Sequence, residues 1–308
     1  MDNPFHIGEQ TIQAHFGMRE RMARNQGIRP FMSGDFRDFL GELGYVVVGA
    51  PDPAGQLWAS ILFGEPGFIA APEAKDLRIG AMPAADDPLA AALQPDTPIA
   101  VLGIELATRR RIRASGRVGK AADPAAIAIA IEQCYGNCPQ YIWPRQPGAA
   151  PAEVARAAAR DLGLDDEQVA RMIAGADTFF VASQYRDPET GAAGGVDVSH
   201  RGGEAGFMAV KDGAIVWPEY RGNFYFNTLG NLHLNPACGL LLPDFATGDL
   251  LHLTGRVDLL WPRGGTHRAE GLPDTNCLVR FRPDRIVLRP GAMPASWRLL
   301  GGARYFQA

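Results

Sequence analysis

One short motif near the start of the chain is found again in its second half. Three motifs in all repeat at one spacing of 139 residues (64 to 203, 107 to 246 and 116 to 255). Motifs that keep one register over this distance indicate an internal repeat of a structural unit. The pairs are Gly64-Glu65-Pro66-Gly67-Phe68 with Gly203-Glu204-Ala205-Gly206-Phe207, Ala107-Thr108 with Ala246-Thr247, and Gly116-Arg117-Val118 with Gly255-Arg256-Val257.

Each copy is predicted to begin with a helix followed by an apolar strand. Ser33 is a candidate N-cap for a helix through Leu43, and Asp165 or Asp166 for a helix to about Ala174. The β-branched and aromatic runs that follow predict strands, each leading into a turn-rich stretch as in a hairpin. The two strands are Tyr45–Gly49 and Phe179–Ser183, and the two turn-rich stretches are Pro51–Gly55 and Asp187–Gly195.

The fold class that this pattern predicts is mainly β with flanking helices. The chain has 36 glycines and 24 prolines, and its predicted strands are short, which favours small antiparallel barrels over a parallel sheet. No Gly-rich fingerprint lies between a strand and a helix. We therefore expect a helical extension (1–30), a first barrel (31–147), and a linking helix at Val154–Leu162 that leads into a second barrel (148–308).

Composition excludes several classes of function. The 308 residues carry a formal net charge of −4, which argues against binding nucleic acid through phosphate neutralisation. No apolar stretch approaches the roughly 20 residues needed to span a bilayer, and no secretory signal is evident at the N-terminus. We therefore expect a cytoplasmic protein. Cys134 and Cys138 do not have the spacing of a zinc site, so no metal is expected.

The two copies differ where a ligand could bind. Ser60-Ile61-Leu62-Phe63 in the first copy corresponds to Ser199-His200-Arg201-Gly202 in the second. Asp86 and Asp87 in the first copy contrast with a polar segment, Tyr220 to Asn231, in the second. Arginine, hydroxyl, amide and Gly-exposed backbone donors suit a phosphate, so the second copy has a plausible anion pocket. The alternative is a polar loop whose Asn and Gly residues only form turns.

An arginine run in the first copy adds a second candidate. In a strand, Arg109, Arg111 and Arg113 would share one face, while Ile112 and Ala114 would face the core. The arginines would then point to solvent or to a groove between the copies. Their partner could be the Asp86–Asp87 pair or a ligand phosphate.

At these residues the chain resembles the pyridoxamine 5'-phosphate oxidase-related, FMN-binding split-barrel family, in particular its tandem-repeat members. The resemblance runs from about Arg29 to Pro290 and is most specific over Asp197–Asp244. It implies two tandem split β-barrels related by internal duplication, with FMN at the interface between them. It is carried by Ser199-His200-Arg201-Gly202-Gly203, Gly222-Asn223, Thr228-Leu229-Gly230-Asn231-Leu232 and Asn235-Pro236.

The resemblance also implies roles for residues of both copies. The phosphate and ribityl chain of FMN would be held by Ser199, Arg201, Arg221, Asn223 and Thr228. Trp217 and Pro218 would lie where the ring-lining strand ends, and Arg111 and Gln140 of the first copy would reach the flavin from across the interface.

The expected function is that of an FMN-dependent oxidoreductase with an unidentified acceptor. Its partners would be a small-molecule substrate or electron donor such as NAD(P)H, and a homodimer is compatible with the fold. No nucleic acid or membrane partner is expected. The alternatives are a deazaflavin-dependent reductase or a non-catalytic flavin- or haem-binding module, with His200, His233 and His252 as candidate axial ligands.

Overall fold

The structure, a computed structural model, describes two large antiparallel sheets and a two-stranded sheet formed by the strands Arg145–Pro147 and Trp297–Leu299, with helices around them. The described residues are 3–25, 27–136, 139–148, 157–186, 194–261, 275, 277–293 and 296–301. The first unit comprises β1 (Tyr45–Pro51), β2 (Leu57–Phe63), β3 (Ile69–Glu73), β4 (Asp76–Ile79), β5 (Pro98–Glu105), β6 (Arg110–Val118) and β7 (Ile127–Gly136). After β8 (Arg145–Pro147) and β9 (Arg160–Leu162), the second unit comprises β10 (Thr178–Arg186), β11 (Gly194–Gly202), β12 (Ala209–Lys211), β13 (Ala214–Pro218), β14 (Ala237–Pro243), β15 (Leu250–Leu260) and β16 (Leu278–Arg289), followed by β17 (Trp297–Leu299).

The two units have the same order of strands. The first sheet runs β2-β1-β5-β6-β7-β4-β3 and the second runs β11-β10-β14-β15-β16-β13-β12, with β9 paired on β16. The strands of the second unit therefore follow the same path as those of the first, each taken in chain order. The mainly β, antiparallel architecture with flanking helices that the sequence predicts is confirmed.

Alternation along the strands produces three hydrophobic clusters. In β1, Val46 and Val48 face the core of the first unit, while Tyr45 and Val47 face the second unit. In β11, Val196 and Val198 belong to the same inter-unit cluster. Successive side chains of a strand point to opposite faces, so one strand can line its own core and the interface. The two sheets consequently pack against each other through β1, β2, β5, β10, β11 and β14.

The helices lie outside the sheets. They are α1 (Ile7–His15), α2 (Arg19–Ala23), α3 (Gly34–Glu42), α4 (Glu167–Gly175) and α5 (Asn227–Leu234), with a 3-10 helix at Pro88–Ala92. Both predicted N-caps are confirmed. Ser33 precedes α3, and the Asp166 carboxylate accepts hydrogen bonds from the amides of Gln168 and Val169 at the start of α4.

Helix α1 crosses α5 at a pair of glycines. A Cβ on Gly230 would lie 2.6 Å from the backbone nitrogen of Glu9, and a Cβ on Gly8 would lie 2.3 Å from the Gly230 carbonyl oxygen. Only glycine permits such a close approach of two backbones. Helices α1 and α2 lie within the segment predicted as a helical extension, and α1 packs on α5 of the second unit.

The predicted linking helix at Val154–Leu162 is wrong over the residues that the structure describes. Its first three residues lie outside the described ranges, and Arg160–Leu162 is strand β9. Leu162 pairs with Ile286 and Arg160 with Leu288, and Asp161 forms an ion pair with Arg285. The free edge of β16 offers unpaired backbone groups, and pairing with that edge prevails over the helix propensity of an Ala-rich stretch.

Within the described ranges, no helix combines the length and apolar character that crossing a membrane requires.

Candidate functional site

A cavity at the junction of the two units brings the predicted anion-binding segments together. The second unit contributes the end of β11, the segment between β13 and α5, and the first turn of α5. The first unit contributes β6 and the segment that follows β7. The enclosed space is about 80 Å³, enough for a group of a few heavy atoms. Its lining includes Arg111, Arg113, Gln140, Tyr141, His200, Arg201, Gly202, Glu219, Tyr220, Asn223, Phe226, Asn227, Thr228 and Leu229.

Strand β11 supplies a row of polar side chains beside this cavity. Asp197, Ser199 and Arg201 alternate with the interface residues Val196 and Val198. Ser199 is fully buried, and its Oγ accepts a hydrogen bond from Arg201 Nη1 at 2.7 Å and another from Arg113. The hydroxyl therefore joins an arginine of each unit.

Arg113 crosses the interface as part of a buried polar network. Its Nη1 donates to both carboxylate oxygens of Asp197, at 2.9 and 3.1 Å, and lies 3.3 Å from the Tyr135 hydroxyl. Asp197 also accepts from the hydroxyls of Tyr135 and Thr228. Burial lowers the pKa of Arg113, but Asp197 and Tyr135 outweigh it and hold that pKa above its ordinary value. The guanidinium is therefore charged at any working pH.

Arg201 has an acidic partner within the cavity. Its Nη2 lies 2.7 Å from a carboxylate oxygen of Glu219, and its Nε donates to the other at 3.1 Å. Three arginines and one glutamate are among the described lining residues. Arg113 is paired with Asp197 and Arg201 with Glu219, so an anion in the cavity would compete with these carboxylates for the two arginines.

The first turn of α5 closes one end of the cavity. Asn227, Thr228 and Leu229 are its first three residues, and the amides of a helix's first turn have no intrahelical acceptor. The N-cap position is held by Phe226, whose side chain makes no capping hydrogen bond. A helix N-terminus with this arrangement attracts negative charge.

Backbone strain is concentrated around the same cavity. Tyr141, Phe224 and Phe226 have φ values of 63°, 63° and 60°, the left-handed region that bulky residues rarely adopt. At Gly202 a Cβ would lie 2.0 Å from the Tyr141 carbonyl oxygen. The segment after β7 therefore lies directly against the end of β11. Strained residues held by their surroundings occur often at functional sites.

A second, aromatic cavity of about 290 Å³ adjoins the first. The two share Glu219, Tyr220, Gly222, Phe224, Phe226 and Leu229. Phe16, which follows α1, stacks on Phe226 with centroids 5.0 Å apart and an interplanar angle of 13°. A polar and an apolar compartment thus share a common wall.

His200 faces the polar cavity from β11. The side chain is 3% exposed, and neither ring nitrogen has a hydrogen-bond partner among the described residues. Burial, with Arg111, Arg201, Arg145 and Arg113 nearby, holds the pKa of His200 well below its ordinary range. The imidazole is therefore neutral.

Six of the nine residues predicted for the site lie at the polar cavity. Arg111, Gln140, Arg201, Asn223 and Thr228 line the polar cavity, and Ser199 is bonded to Arg201 beside it.

The other three lie elsewhere. Arg221 lines the aromatic cavity, with its guanidinium 4.8 Å from the centroid of the Phe224 ring. Trp217 and Pro218 are buried and are not among the lining residues of either cavity. Trp217 packs in the core against Phe179, at 5.2 Å between centroids.

Four residues at the site were not predicted to act there as they do. Glu219 and Asp197, the acidic partners of the two arginines, have no motif that identifies them. Arg113 was predicted only to lie on the same strand face as Arg111. Glu9 of α1, whose carboxylate accepts from Asn227 Nδ2 at 2.5 Å, was not predicted at all.

The first unit has a comparable cluster that is filled by its own carboxylate. Asp87 is buried and accepts hydrogen bonds from Ser60 Oγ at 2.5 Å, from the Leu89 amide at 2.9 Å, and from Arg289 Nη1 at 2.5 Å. Asp86 binds the same guanidinium at 3.1 Å. The Asp86–Asp87 pair, a candidate partner of the Arg109–Arg113 run, thus has Arg289 among its partners.

The remaining metal and haem candidates have ordinary surroundings. No group of three or more His, Cys, Asp or Glu residues suited to a metal is found within the described ranges. Cys134 is buried, and Cys138 lies outside those ranges. His252 is fully buried with Nδ1 2.9 Å from the Ala59 carbonyl oxygen, and His233 is exposed on α5.

Comparison with known proteins gives matches only among solved structures. No family model and no curated protein matches the chain. An FAD-binding protein from Mesorhizobium loti is 13% identical over 44% of this chain and 99% of its own, with a TM-score of 0.27. A candidate pyridoxamine 5'-phosphate oxidase from Corynebacterium glutamicum (16%, 49% and 100%, TM-score 0.26) and General Stress Protein 26 from Bacillus anthracis (15%, 44% and 97%, TM-score 0.26) are similar at the same level. The functional assignment therefore rests on the chain's own residues.

Proposed function

We propose that this chain is an FMN-binding protein of the pyridoxamine 5'-phosphate oxidase-related type, with the FMN phosphate in the polar cavity at the N-terminus of α5. The observation that carries the proposal is the convergence of hydrogen-bond donors from both units on one small space that three arginines line. Arg111 comes from the first unit, and Arg201 and Thr228 from the second. Guanidinium groups, a hydroxyl and the amides of a helix's first turn are the donors that a phosphate monoester requires.

The cluster around Asp87 supports the choice of an anion. Ser60 precedes Gly64 by the same interval as Ser199 precedes Gly203, and we infer that the units arose by duplication, as their common strand order suggests. In the first unit a carboxylate accepts from Ser60 and Arg289. In the second unit the corresponding hydroxyl, Ser199, is joined to Arg201 and Arg113. The Ser60 hydroxyl thus donates to a carboxylate of the chain, whereas the described contacts of the Ser199 hydroxyl are with two arginines, and we propose that it donates to an anion taken from solution.

The aromatic cavity supports a flavin rather than a free phosphate. Its volume of about 290 Å³ and its wall of phenylalanines suit a planar, largely apolar ring. Tyr220 and Phe226 border both cavities, so one ligand could extend from the polar into the apolar compartment. The residues present therefore fit FMN in both parts.

The proposed activity is that of an oxidoreductase with NAD(P)H or a similar small molecule as reductant. A bound flavin would supply hydride or electron transfer. The protein would hold the phosphate in the polar cavity and orient the ring in the aromatic cavity. Reduction of the bound flavin by NADH or NADPH, with turnover, would distinguish an enzyme from a flavin carrier.

Titration with FMN tests the proposal through the two partners of one ion pair. Arg201→Ala should weaken FMN binding about 10- to 100-fold, because a charge-assisted contact to the phosphate is lost. Glu219→Gln should strengthen it by about 3- to 10-fold, because the competing carboxylate is removed. Flavin fluorescence quenching and the visible spectrum would measure both.

The matched control is Arg78→Ala, which removes an exposed arginine that pairs with Asp123 outside both cavities. Its FMN affinity should equal that of the wild type. Wild-type protein that leaves the FMN spectrum unchanged would refute the proposal. Equal FMN affinities in the wild type and all three variants would show that Arg201 does not hold the FMN phosphate.

Asp87→Ala tests the internal comparison. Removal of this carboxylate should leave Arg289 and Ser60 able to accept a second oxyanion, so inorganic phosphate should bind at two sites instead of one. Isothermal titration with phosphate measures the number of sites. Asp87→Asn, which keeps the position filled, should retain one site. A single site in Asp87→Ala would contradict the correspondence between the two clusters.

A further inference from the structure

The register of β11 fixes where the His200 side chain lies. His200 pairs with Phe180 of β10, and the two rings meet edge to face with centroids 5.8 Å apart. A Cβ built on Gly202 would lie 3.0 Å from His200 Cε1. The imidazole is therefore held between the inter-unit cluster, the end of β11 and the polar cavity that it lines.

Burial of the His200 ring in this position lowers the stability of the folded protein unless a ligand supplies hydrogen-bond partners for its nitrogens. The side chain is 97% buried, and both ring nitrogens lack a hydrogen-bond partner among the described residues. A buried polar atom that makes no hydrogen bond destabilises the folded protein. His200 differs in this respect from His252, whose Nδ1 is 2.9 Å from a backbone carbonyl oxygen.

The surroundings of His200 decide which group it can recognise. Arg111, Arg113, Arg145 and Arg201 are the charged groups that act on it, and they act against protonation of the ring. A neutral imidazole donates one hydrogen bond and accepts another, whereas arginine only donates. The ring therefore adds an acceptor to a wall whose arginines all recognise negative charge.

We propose that His200 hydrogen-bonds through its neutral ring to an uncharged polar group of the cavity ligand, while the arginines hold the anionic group. The ligand would thus carry an anionic group and an uncharged polar group within reach of the same cavity. FMN has both, because the hydroxyls of its ribityl chain lie next to the phosphate. This inference rests on the proposed function and adds a residue that distinguishes FMN from free phosphate.

His200→Leu tests the inference through two effects of opposite sign. Leucine has no ring nitrogens to leave unsatisfied, so the thermal midpoint of the ligand-free protein should rise by a few degrees. FMN affinity should fall about 10- to 100-fold, because the polar group beside the phosphate loses its partner. Stabilisation by inorganic phosphate, which has no such group, should be unchanged.

Two further variants complete the test. His200→Asn and His200→Gln each keep a donor and an acceptor near one ring nitrogen, and at least one of them should restore FMN affinity to within about threefold of the wild type. His233→Leu is the matched control, since the same change is made on the exposed end of α5. It should alter neither FMN affinity nor the response to phosphate.

The outcomes separate this inference from the proposed function. If wild-type protein binds FMN and His200→Leu binds it equally well, the proposed role of His200 is refuted, whereas the proposed flavin site is retained. If His200→Leu loses both stability and affinity and neither amide variant restores them, His200 is structural and the inference is overturned. If the wild type does not bind FMN, both proposals fall together.

Discussion

Arg113→Met is expected to lower the free energy of unfolding by about 3–5 kcal/mol, because it leaves a buried carboxylate without its cation. Arg113 and Asp197 are each 7% exposed and lie on different units. In the variant, Asp197 would keep only the hydroxyls of Tyr135 and Thr228, at 3.1 and 3.2 Å, as described donors. Equilibrium unfolding in urea, followed by tryptophan fluorescence, measures the loss.

The control is the neighbouring residue on the same strand. Arg110 pairs with Glu42, but both side chains are more than half exposed. Arg110→Met should therefore change the unfolding free energy by less than about 1 kcal/mol. The double variant Arg113→Met/Asp197→Asn should recover much of the loss, since the uncompensated charge is then absent. A loss below 1 kcal/mol in Arg113→Met alone would show that the ion pair does not hold the units together.

Alternation within strands made part of this network predictable. The sequence places Ile112 and Ala114 on the core face of β6, and both belong to the first hydrophobic core. Arg113 is then expected on the opposite face, towards solvent or a groove between the copies, and the structure has it in contact with Asp197 of the second unit. Its partner Asp197 lies 84 residues further on, and no local pattern identifies which acid will meet it.

The candidate site was predictable to a similar extent. Arg201, Asn223 and Thr228 line the same cavity because one unit folds them together, and the difference between the copies pointed to that region. No helix was predicted at α5, whose residues were expected to form part of an anion pocket or, alternatively, a polar loop. Its asparagines and Gly230 are poor helix formers, and the packing of Gly230 against α1 stabilises a helix that propensity alone does not favour.

Trp217 shows the reverse error, in which a resemblance was given more weight than a local pattern. Ile215 and Trp217 alternate along β13 and both pack in the core of the second unit. Period-two alternation places two residues that are two positions apart on one face. Applied to this strand, that rule would have assigned Trp217 to the core with its neighbour Ile215.

Glu9→Gln is expected to stabilise the protein increasingly as pH rises from about 5 to 9. Glu9 lies in the first turn of α1 and is 4% exposed. Burial raises its pKa to about 8, although hydrogen bonds from the His6 amide and from Asn227 act in the opposite direction. Asp197 raises it further and Arg113 lowers it. The carboxyl is therefore largely protonated in the folded protein at neutral pH.

The sign of the effect follows from the difference between the pKa of Glu9 in the folded chain and its pKa in the unfolded chain. In the unfolded chain Glu9 ionises near 4.5, so below that pH both states are protonated and the carboxyl contributes no pH dependence. Between about 4.5 and 8 only the unfolded chain ionises, and the wild type loses stability as pH rises. Above about 8 the loss levels off. Glutamine does not ionise, so the difference between variant and wild type should grow to roughly 3–5 kcal/mol.

Urea unfolding of wild type and Glu9→Gln at pH 5, 7 and 9 measures this difference, and other titrating groups largely cancel in the comparison. Glu20→Gln on the exposed surface of α2 is the control and should give a difference near zero at each pH. A difference that stays constant from pH 5 to 9 would mean that the carboxyl is ionised in the folded protein and that Asn227 and the His6 amide suffice to stabilise its charge.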